Sequence, residues 1–273
     1  MQFEQSPFFK GVLSNVPEAL EHTNHSKVIL FDMDGTLLNS EPLHALGMLA
    51  VLDQNSRSNI LKNAAEIQNK VEGKADPDLL YTLIEDQVIS VPQEQNIEDF
   101  IESFIAQKTE VMAELLLEIF NKTQKPSTNA ILKKLNFEIN LSKLQKSLFI
   151  PEITDWLEVL KQNGKHMSVV TACENDMTHN LLTFFKLDHY FDMIITRQST
   201  EKTKPHPRPY LFAIEEYSRK FDNRSIKAQE VLIFEDSHTG LSSALGANLP
   251  TYQVKWYEDA KENIFNDLKD RTP

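Results

Sequence analysis

A single cysteine, Cys173, stands in 273 residues, so no disulfide framework can hold the chain and a reducing compartment is compatible with it. Glycine is scarce, seven in all, which points toward helix and away from an architecture of tight hairpins. Positive charge is in deficit: 28 Lys and Arg against 40 Asp and Glu give a formal net charge of −12. With no basic patch to offset that balance, neither nucleic acid nor an anionic membrane is an expected partner. No uninterrupted apolar run is long enough to span a bilayer, and the N-terminus reads without a basic n-region or a hydrophobic h-region, so cytoplasmic residence is the expectation. What is present, 41% hydrophobic and 25% charged residues, suits one large domain or two modest ones, each with a real core. The composition implies no particular oligomeric state.

The most informative stretch is Phe31-Asp32-Met33-Asp34-Gly35-Thr36-Leu37-Leu38. It sets two carboxylates at the end of a short apolar run, Val28-Ile29-Leu30-Phe31. In an α/β protein, ligands gather outside the carboxyl ends of parallel strands, so both acids fall where chemistry is done. Gly35 permits a tight turn, Thr36 can bond a phosphate oxygen or steady that turn, and a helix is expected from about Glu41 with Ser40 as its cap and Pro42 at its first position. Asp-Gly is also ordinary turn chemistry. The strand before it and the motifs after it favour a site.

Four pieces follow along the chain. Residues 1–26 read as an N-terminal extension, a short helix or loop leading to the first strand. Residues 41–148 are helical in pattern, with apolar spacing of three and four in Leu79-Leu80-Leu83-Ile84 and Phe100-Phe104-Val111-Leu115. From 149 to 255 strands alternate with helices: Ile153 to Gln162 helical, Met167 to Val170 a strand, Asp176 to Phe185 helical, Met193 to Thr196 a strand. Then come Arg208 to Lys220 helical, Val231 to Phe234 a strand, Thr239 to Ala244 helical and Thr251 to Val254 a strand. Residues 256–273 read as a C-terminal helical tail. The expected fold is α/β: a doubly wound parallel sheet built from 27–40 and 149–255, with an all-helical domain inserted at 41–148. An insertion at the carboxyl edge of the sheet is placed to act as a lid over the acids.

Three downstream stretches belong with the acid pair. Ser168-Val169-Val170-Thr171 is a strand ending in a hydroxyl, able to bond a phosphate oxygen beside a helix N-terminus, or simply to cap that helix. Lys202-Thr203-Lys204-Pro205-His206-Pro207-Arg208-Pro209-Tyr210 holds a lysine before a stiff proline segment, and Lys204 is favoured over Lys202 for that reason. Val231-Leu232-Ile233-Phe234-Glu235-Asp236-Ser237 is a second apolar strand ending in acids. Beside Asp32 it would offer a hard divalent cation the carboxylate oxygens it prefers. His22 and His25 are minor candidates as metal ligands, while Cys173 and the neighbours Ser237-His238 lack the surroundings that a reactive thiol or a nucleophile dyad requires.

Asp32-Met33-Asp34-Gly35-Thr36, Thr171, Lys204-Pro205 and Glu235-Asp236-Ser237 together resemble the four ordered motifs of the haloacid dehalogenase (HAD) superfamily. The likeness is greatest to its phosphoglycolate-phosphatase and β-phosphoglucomutase-like branch, whose Rossmann-like core carries a helical C1-type cap after the first motif. The resemblance implies Asp32 as the nucleophile that forms an aspartyl-phosphate, and Asp34 as the acid that protonates the leaving oxygen and then activates water. It implies Mg²⁺ held by Asp32, the Asp34 carbonyl and Asp236, with Glu235 in the outer shell. Thr171 and Lys204 would hold phosphate oxygens, joined by backbone N–H groups of the turn from Met33 to Gly35.

The implied activity is Mg²⁺-dependent hydrolysis of a small phosphorylated metabolite, a sugar phosphate or a phosphoglycolate-like compound. Two alternatives accompany it: a β-phosphoglucomutase-like mutase, and a non-catalytic interaction protein on the same scaffold. His44 falls where the mutase has a catalytic histidine. Val71-Glu72-Gly73-Lys74-Ala75-Asp76-Pro77-Asp78 instead resembles the loop of several phosphatases, with Lys74 a candidate substrate contact and no mutase arginine in evidence. Ile150-Pro151-Glu152-Ile153 in place of a Pro-Gly turn, and Leu249 after Ala247-Asn248, depart from the family pattern without touching the acids.

Overall fold

The computed structural model describes residues 3–62, 75–120, 131, 140–222 and 226–258. Within them six strands, β1 (Phe9–Leu13), β2 (Val28–Phe31), β3 (His166–Val170), β4 (Met193–Ile195), β5 (Val231–Glu235) and β6 (Thr251–Val254), form one sheet. Its order is β1-β6-β5-β2-β3-β4 and every pairing is parallel. The helices are α1 (Val16–Glu21), α2 (Glu41–Val51), α3 (Gln54–Lys62), α4 (Asp76–Glu85), α5 (Ile97–Ile119), α6 (Leu141–Leu148), α7 (Glu152–Gln162), α8 (Asn175–Phe184), α9 (Arg208–Tyr217) and α10 (His238–Gly246). Two compact units result, one from the residues up to Asn39 with Phe149–Glu258, the other containing Ser40–Leu148.

In the α/β unit the central strand is buried on both faces because its apolar run does not alternate. Val28 and Leu30 pack with Tyr210 and Ala213 of α9 and with Ala244 of α10. Phe31 points to the opposite layer, 5.1 Å from Trp156 of α7 and stacked at 5.7 Å on Phe234 of β5. Burying Phe31 or Phe234 stabilises the sheet by roughly 2–3 kcal/mol each. From β2 the chain builds β3 and β4 on one side, then crosses to β5 and β6 on the other. The reversal falls between β2 and β5, the switch point where α/β sheets open a crevice.

The N-terminal segment holds the expected short helix, α1, and adds before it an edge strand that was not expected. Phe9–Leu13 pairs with β6, interrupted by an irregularity between Phe9 and Gly11, where Gly11 adopts φ +126°. The run is short, half exposed and broken by Lys10 and Gly11, so its pattern does not announce a strand. Trp256 and Tyr257, expected in the tail, are part of the α/β unit, and Tyr257 is buried. Residues 259–273 lie outside the described residues.

The described elements of the second unit are the helices α2 to α6. Leu80 and Leu83 are buried in α4, and Phe104, Met112 and Leu115 in α5, the faces that the apolar spacing marks. Gly47 lets α2 lie close to α5, since a Cβ there would stand 2.6 Å from Met112 Cγ. Pro42 is the second residue of α2, and Ser40 precedes the helix without a side-chain capping bond because its own backbone is already helical.

Candidate active site

β2 and β5 run in register, Phe31 opposite Phe234, and Asp32 extends the ladder by donating its N–H to the Phe234 carbonyl at 3.0 Å. Asp32 and the Glu235-Asp236 pair are therefore delivered side by side to the switch point. Lys204 reaches them from the loop before α9, whose Lys204–Pro205 peptide is cis. Its ammonium donates to Asp32 Oδ1 at 2.7 Å and to Glu235 Oε1 at 2.5 Å. Tyr210 Oη donates to the same Glu235 oxygen at 2.9 Å, and its ring lies under the ammonium at 5.0 Å.

Glu235 is wholly buried, and its other oxygen accepts from the Ser237 N–H at 3.2 Å and hydroxyl at 3.3 Å. Ser237 caps α10 by accepting the Gly240 N–H at 3.0 Å, so the carboxylate also sits at the favourable end of a helix. Gly240 is required: a Cβ there would overlap the Glu235 carboxylate. Glu235 thus spends both oxygens on holding Lys204 and the start of α10.

Asp32 is buried, and one of its oxygens, Oδ2, lacks any hydrogen-bond partner. Burial is the largest influence on its carboxyl and pushes it up; Glu235 pushes the same way and Lys204 opposes. Burial pulls the Lys204 ammonium down, but Asp32 and Glu235 outweigh it and leave the amine well above its ordinary value. Three carboxylates, Asp32, Glu235 and Asp236, bring ligand atoms within 4.8 Å of one another. Among the described residues the Lys204 ammonium pairs with Asp32 and Glu235. An orphaned buried carboxylate oxygen in this all-oxygen cluster fits a hard divalent cation.

Asp34 follows Asp32 two residues on and is only partly buried. Thr171, one residue beyond β3, donates its hydroxyl to Asp34 Oδ2 at 3.2 Å and accepts the Cys173 N–H at 3.0 Å. The hydroxyl expected to face phosphate is therefore bonded to the second acid. The turn itself closes on Met33, whose carbonyl accepts from Leu37 and Leu38 at 2.9 and 3.0 Å. Gly35, at φ +87°, donates to the Leu38 carbonyl at 2.6 Å, which uses one of the N–H groups expected to serve a phosphate. The Thr36 hydroxyl is buried without a partner and does not steady the turn.

The structure thus gathers Asp32, Asp34, Thr171, Lys204, Glu235 and Asp236 within one unit. His44 belongs to the helical unit, where the buried Lys108 lies 3.0 Å from its Nδ1 and 2.5 Å from Asp76 Oδ1. Lys74 lies outside the described residues. Sequence reasoning missed Tyr210, Gly240 and Lys108. Tyr210 closes the Lys204-Pro205-x-Pro-x-Pro-Tyr stretch and carried a signal; the other two depend on partners distant in sequence or hidden beneath a helix start.

Residues 78–254 match a family model described as haloacid dehalogenase-like hydrolase. The matched span holds Thr171, Lys204, Glu235 and Asp236 and begins after the Asp32 turn. A phosphoglycolate phosphatase of Haemophilus influenzae is 25% identical over 250 residues, covering 89% of this chain and 95% of that protein. Pyrophosphatase PpaX of Bacillus cereus is 28% identical over 104 residues, 38% of this chain, and the chain spans only 45% of that relative. Among solved structures, CbbY from Rhodobacter sphaeroides in complex with phosphate shares the fold, with a TM-score of 0.58 at 20% identity over 85% of this chain and 88% of that one.

Proposed function

The chain belongs to the haloacid dehalogenase-like hydrolase family, and we propose that it is a Mg²⁺-dependent phosphatase of a small phosphorylated metabolite, a sugar phosphate or phosphoglycolate-like compound. The observation that carries this reading is Asp32: a buried carboxylate with one oxygen held by Lys204 and the other unpartnered, at the switch point of the sheet. The phosphoglycolate phosphatase relative, aligned over 95% of its length, supports the substrate class.

In the proposed reaction a carboxylate oxygen of Asp32 attacks phosphorus and the ester P–O bond breaks. The leaving oxygen keeps the electron pair and takes the Asp34 carboxyl proton. Water then attacks the aspartyl-phosphate and gives its proton to Asp34, and the Asp32–phosphorus bond breaks to release inorganic phosphate. The obstacle is electrostatic, a carboxylate meeting a phosphate dianion among further carboxylates. Lys204 offsets part of it, and Glu235 and Tyr210 keep that ammonium aimed. Mg²⁺ would be held by the Asp32 and Asp236 carboxylates and the Asp34 carbonyl, neutralising the remaining charge as it builds on phosphate oxygens. Thr171 holds Asp34 in its present orientation and stays within reach of a phosphate oxygen once that bond is exchanged. The inserted helices of 41–148 would act as the cap, with His44 and Lys74 as specificity residues.

The test is hydrolysis of an aryl phosphate and of a panel of metabolite phosphates by wild type and Asp32→Asn, with Mg²⁺ and with a chelator. Turnover should need both the metal and Asp32. A correctly folded wild type that hydrolyses nothing in the panel overturns the reading.

A further inference from the structure

Two consecutive residues after β6 reach back across the sequence to the turn that carries the acids. Trp256 Nε1 donates to the Thr36 carbonyl at 2.8 Å, and Tyr257 Oη donates to the Leu37 carbonyl at 3.1 Å. The internal bonds of that turn end on Met33 and Leu38, so the Thr36 and Leu37 carbonyls are left for donors from outside it. The same Tyr257 hydroxyl accepts the Ile150 N–H at 3.2 Å. It therefore joins the chain just before it leaves the α/β unit after Asn39 to the chain just after it returns at Phe149. Trp256 also stands edge-on to Trp156, 5.7 Å between centroids, and Trp156 is edge-on to both Phe31 and Phe234, the residues immediately before Asp32 and Glu235.

We infer that Trp256 and Tyr257 are positioning residues for Asp34. They fix its turn from the C-terminal side while Asp32 is held separately, by Lys204 and by the β5 ladder. Thr171 bonds the Asp34 carboxylate, and the turn whose Thr36 and Leu37 carbonyls the two aromatic residues hold carries its backbone. A misplacement of about 1 Å at a reacting group can cost on the order of 10² in rate. Loosening the turn should therefore fall on proton delivery to the leaving oxygen and spare attack by Asp32.

This inference rests on the reading of Asp34 as the general acid, and the leaving group separates the two. A nitrophenolate departs without a proton, whereas an alkoxide needs one. kcat/KM, which covers the steps through leaving-group departure, is measured for p-nitrophenyl phosphate and for an alkyl phosphate with wild type, Trp256→Phe, Tyr257→Phe and Asp34→Asn. Trp256→Phe and Tyr257→Phe should lower the alkyl value about tenfold or more and the aryl value by less than about threefold, raising the aryl-to-alkyl ratio in the direction of Asp34→Asn. An unchanged ratio in both aromatic variants, with a raised ratio in Asp34→Asn, overturns the inference and leaves the acid assignment standing. An unchanged ratio in Asp34→Asn, or an inactive wild type, overturns both. Trp256 is only partly buried, so Trp256→Phe decides the matter if Tyr257→Phe does not fold.

Discussion

Gly240 and the Glu235 carboxylate compete for one space: a Cβ on residue 240 would overlap the carboxylate, which is itself fixed by Lys204, Tyr210 and Ser237. Neither side can yield cheaply, since one is helix backbone and the other a buried, fully bonded anion. Gly240→Ala should lower stability by about 1–3 kcal/mol, although alanine favours helix by about 1 kcal/mol over glycine. It should also reduce phosphatase kcat at least tenfold by displacing Lys204. Thermal unfolding with steady-state kinetics checks both; a stabilised, fully active variant contradicts the packing.

Asp32 carries a stability cost that depends on pH. Burial holds its carboxyl above the ordinary value, so the folded state binds the proton more tightly than the unfolded chain. Its contribution is then fully present below about pH 4 and is lost as pH rises through the folded value. In metal-free buffer at neutral pH, Asp32→Asn should be more stable than wild type by on the order of 1–2 kcal/mol, a gap that closes on acidification. Melting curves from pH 4 to 8 in chelator read it directly. Mg²⁺ should raise the wild-type midpoint and leave that of the variant nearly unmoved.

Lys204 and Tyr210 differ in rank. Lys204→Met removes the ammonium that Asp32 and Glu235 share and should cost on the order of 10² to 10³ in kcat. Tyr210→Phe keeps the ring and removes one bond to Glu235, costing about 1–2 kcal/mol of stability and less than tenfold in rate. Equal losses of rate in the two variants would show that the tyrosine hydroxyl does more than hold Glu235.

Lys108 in α5 is buried against Asp76 with His44 beside it. Lys108→Met takes the buried ammonium away from the Asp76 carboxylate and should destabilise the protein by about 1–3 kcal/mol. Lys108→Met with Asp76→Asn should recover part of that loss. Chemical denaturation of the single and double variants measures the coupling.

Strands buried on both faces were legible because unbroken apolar runs mark them: Val28–Phe31 falls where the sequence sets it and Val231–Glu235 is longer by one acid; Thr251–Val254, half-buried at Tyr252 and Gln253, also falls where expected. The acids and Lys204 were legible because they sit at strand ends and before a proline run. Lys108 was not, since a lysine on an amphipathic helix reads as solvated and its partners are 32 and 64 residues away. Trp256 and Tyr257 were read into a tail because the carbonyls they bond lie 220 residues upstream, beyond any local period. Gly240 reads as a weak spot in a helix; its purpose lies beneath the helix, in the seat of Glu235.

The outermost strand has a consequence for synthesis. Among the described strands Phe9–Leu13 emerges from the ribosome first, yet the strand it pairs with, Thr251–Val254, is made last. At about 5–20 residues per second the gap is on the order of 10–50 s. Throughout it the edge must wait without its hydrogen-bond ladder while the inner sheet forms. Closing it pairs the first of the described strands with the last, so that sheet is complete only once β6 has been made.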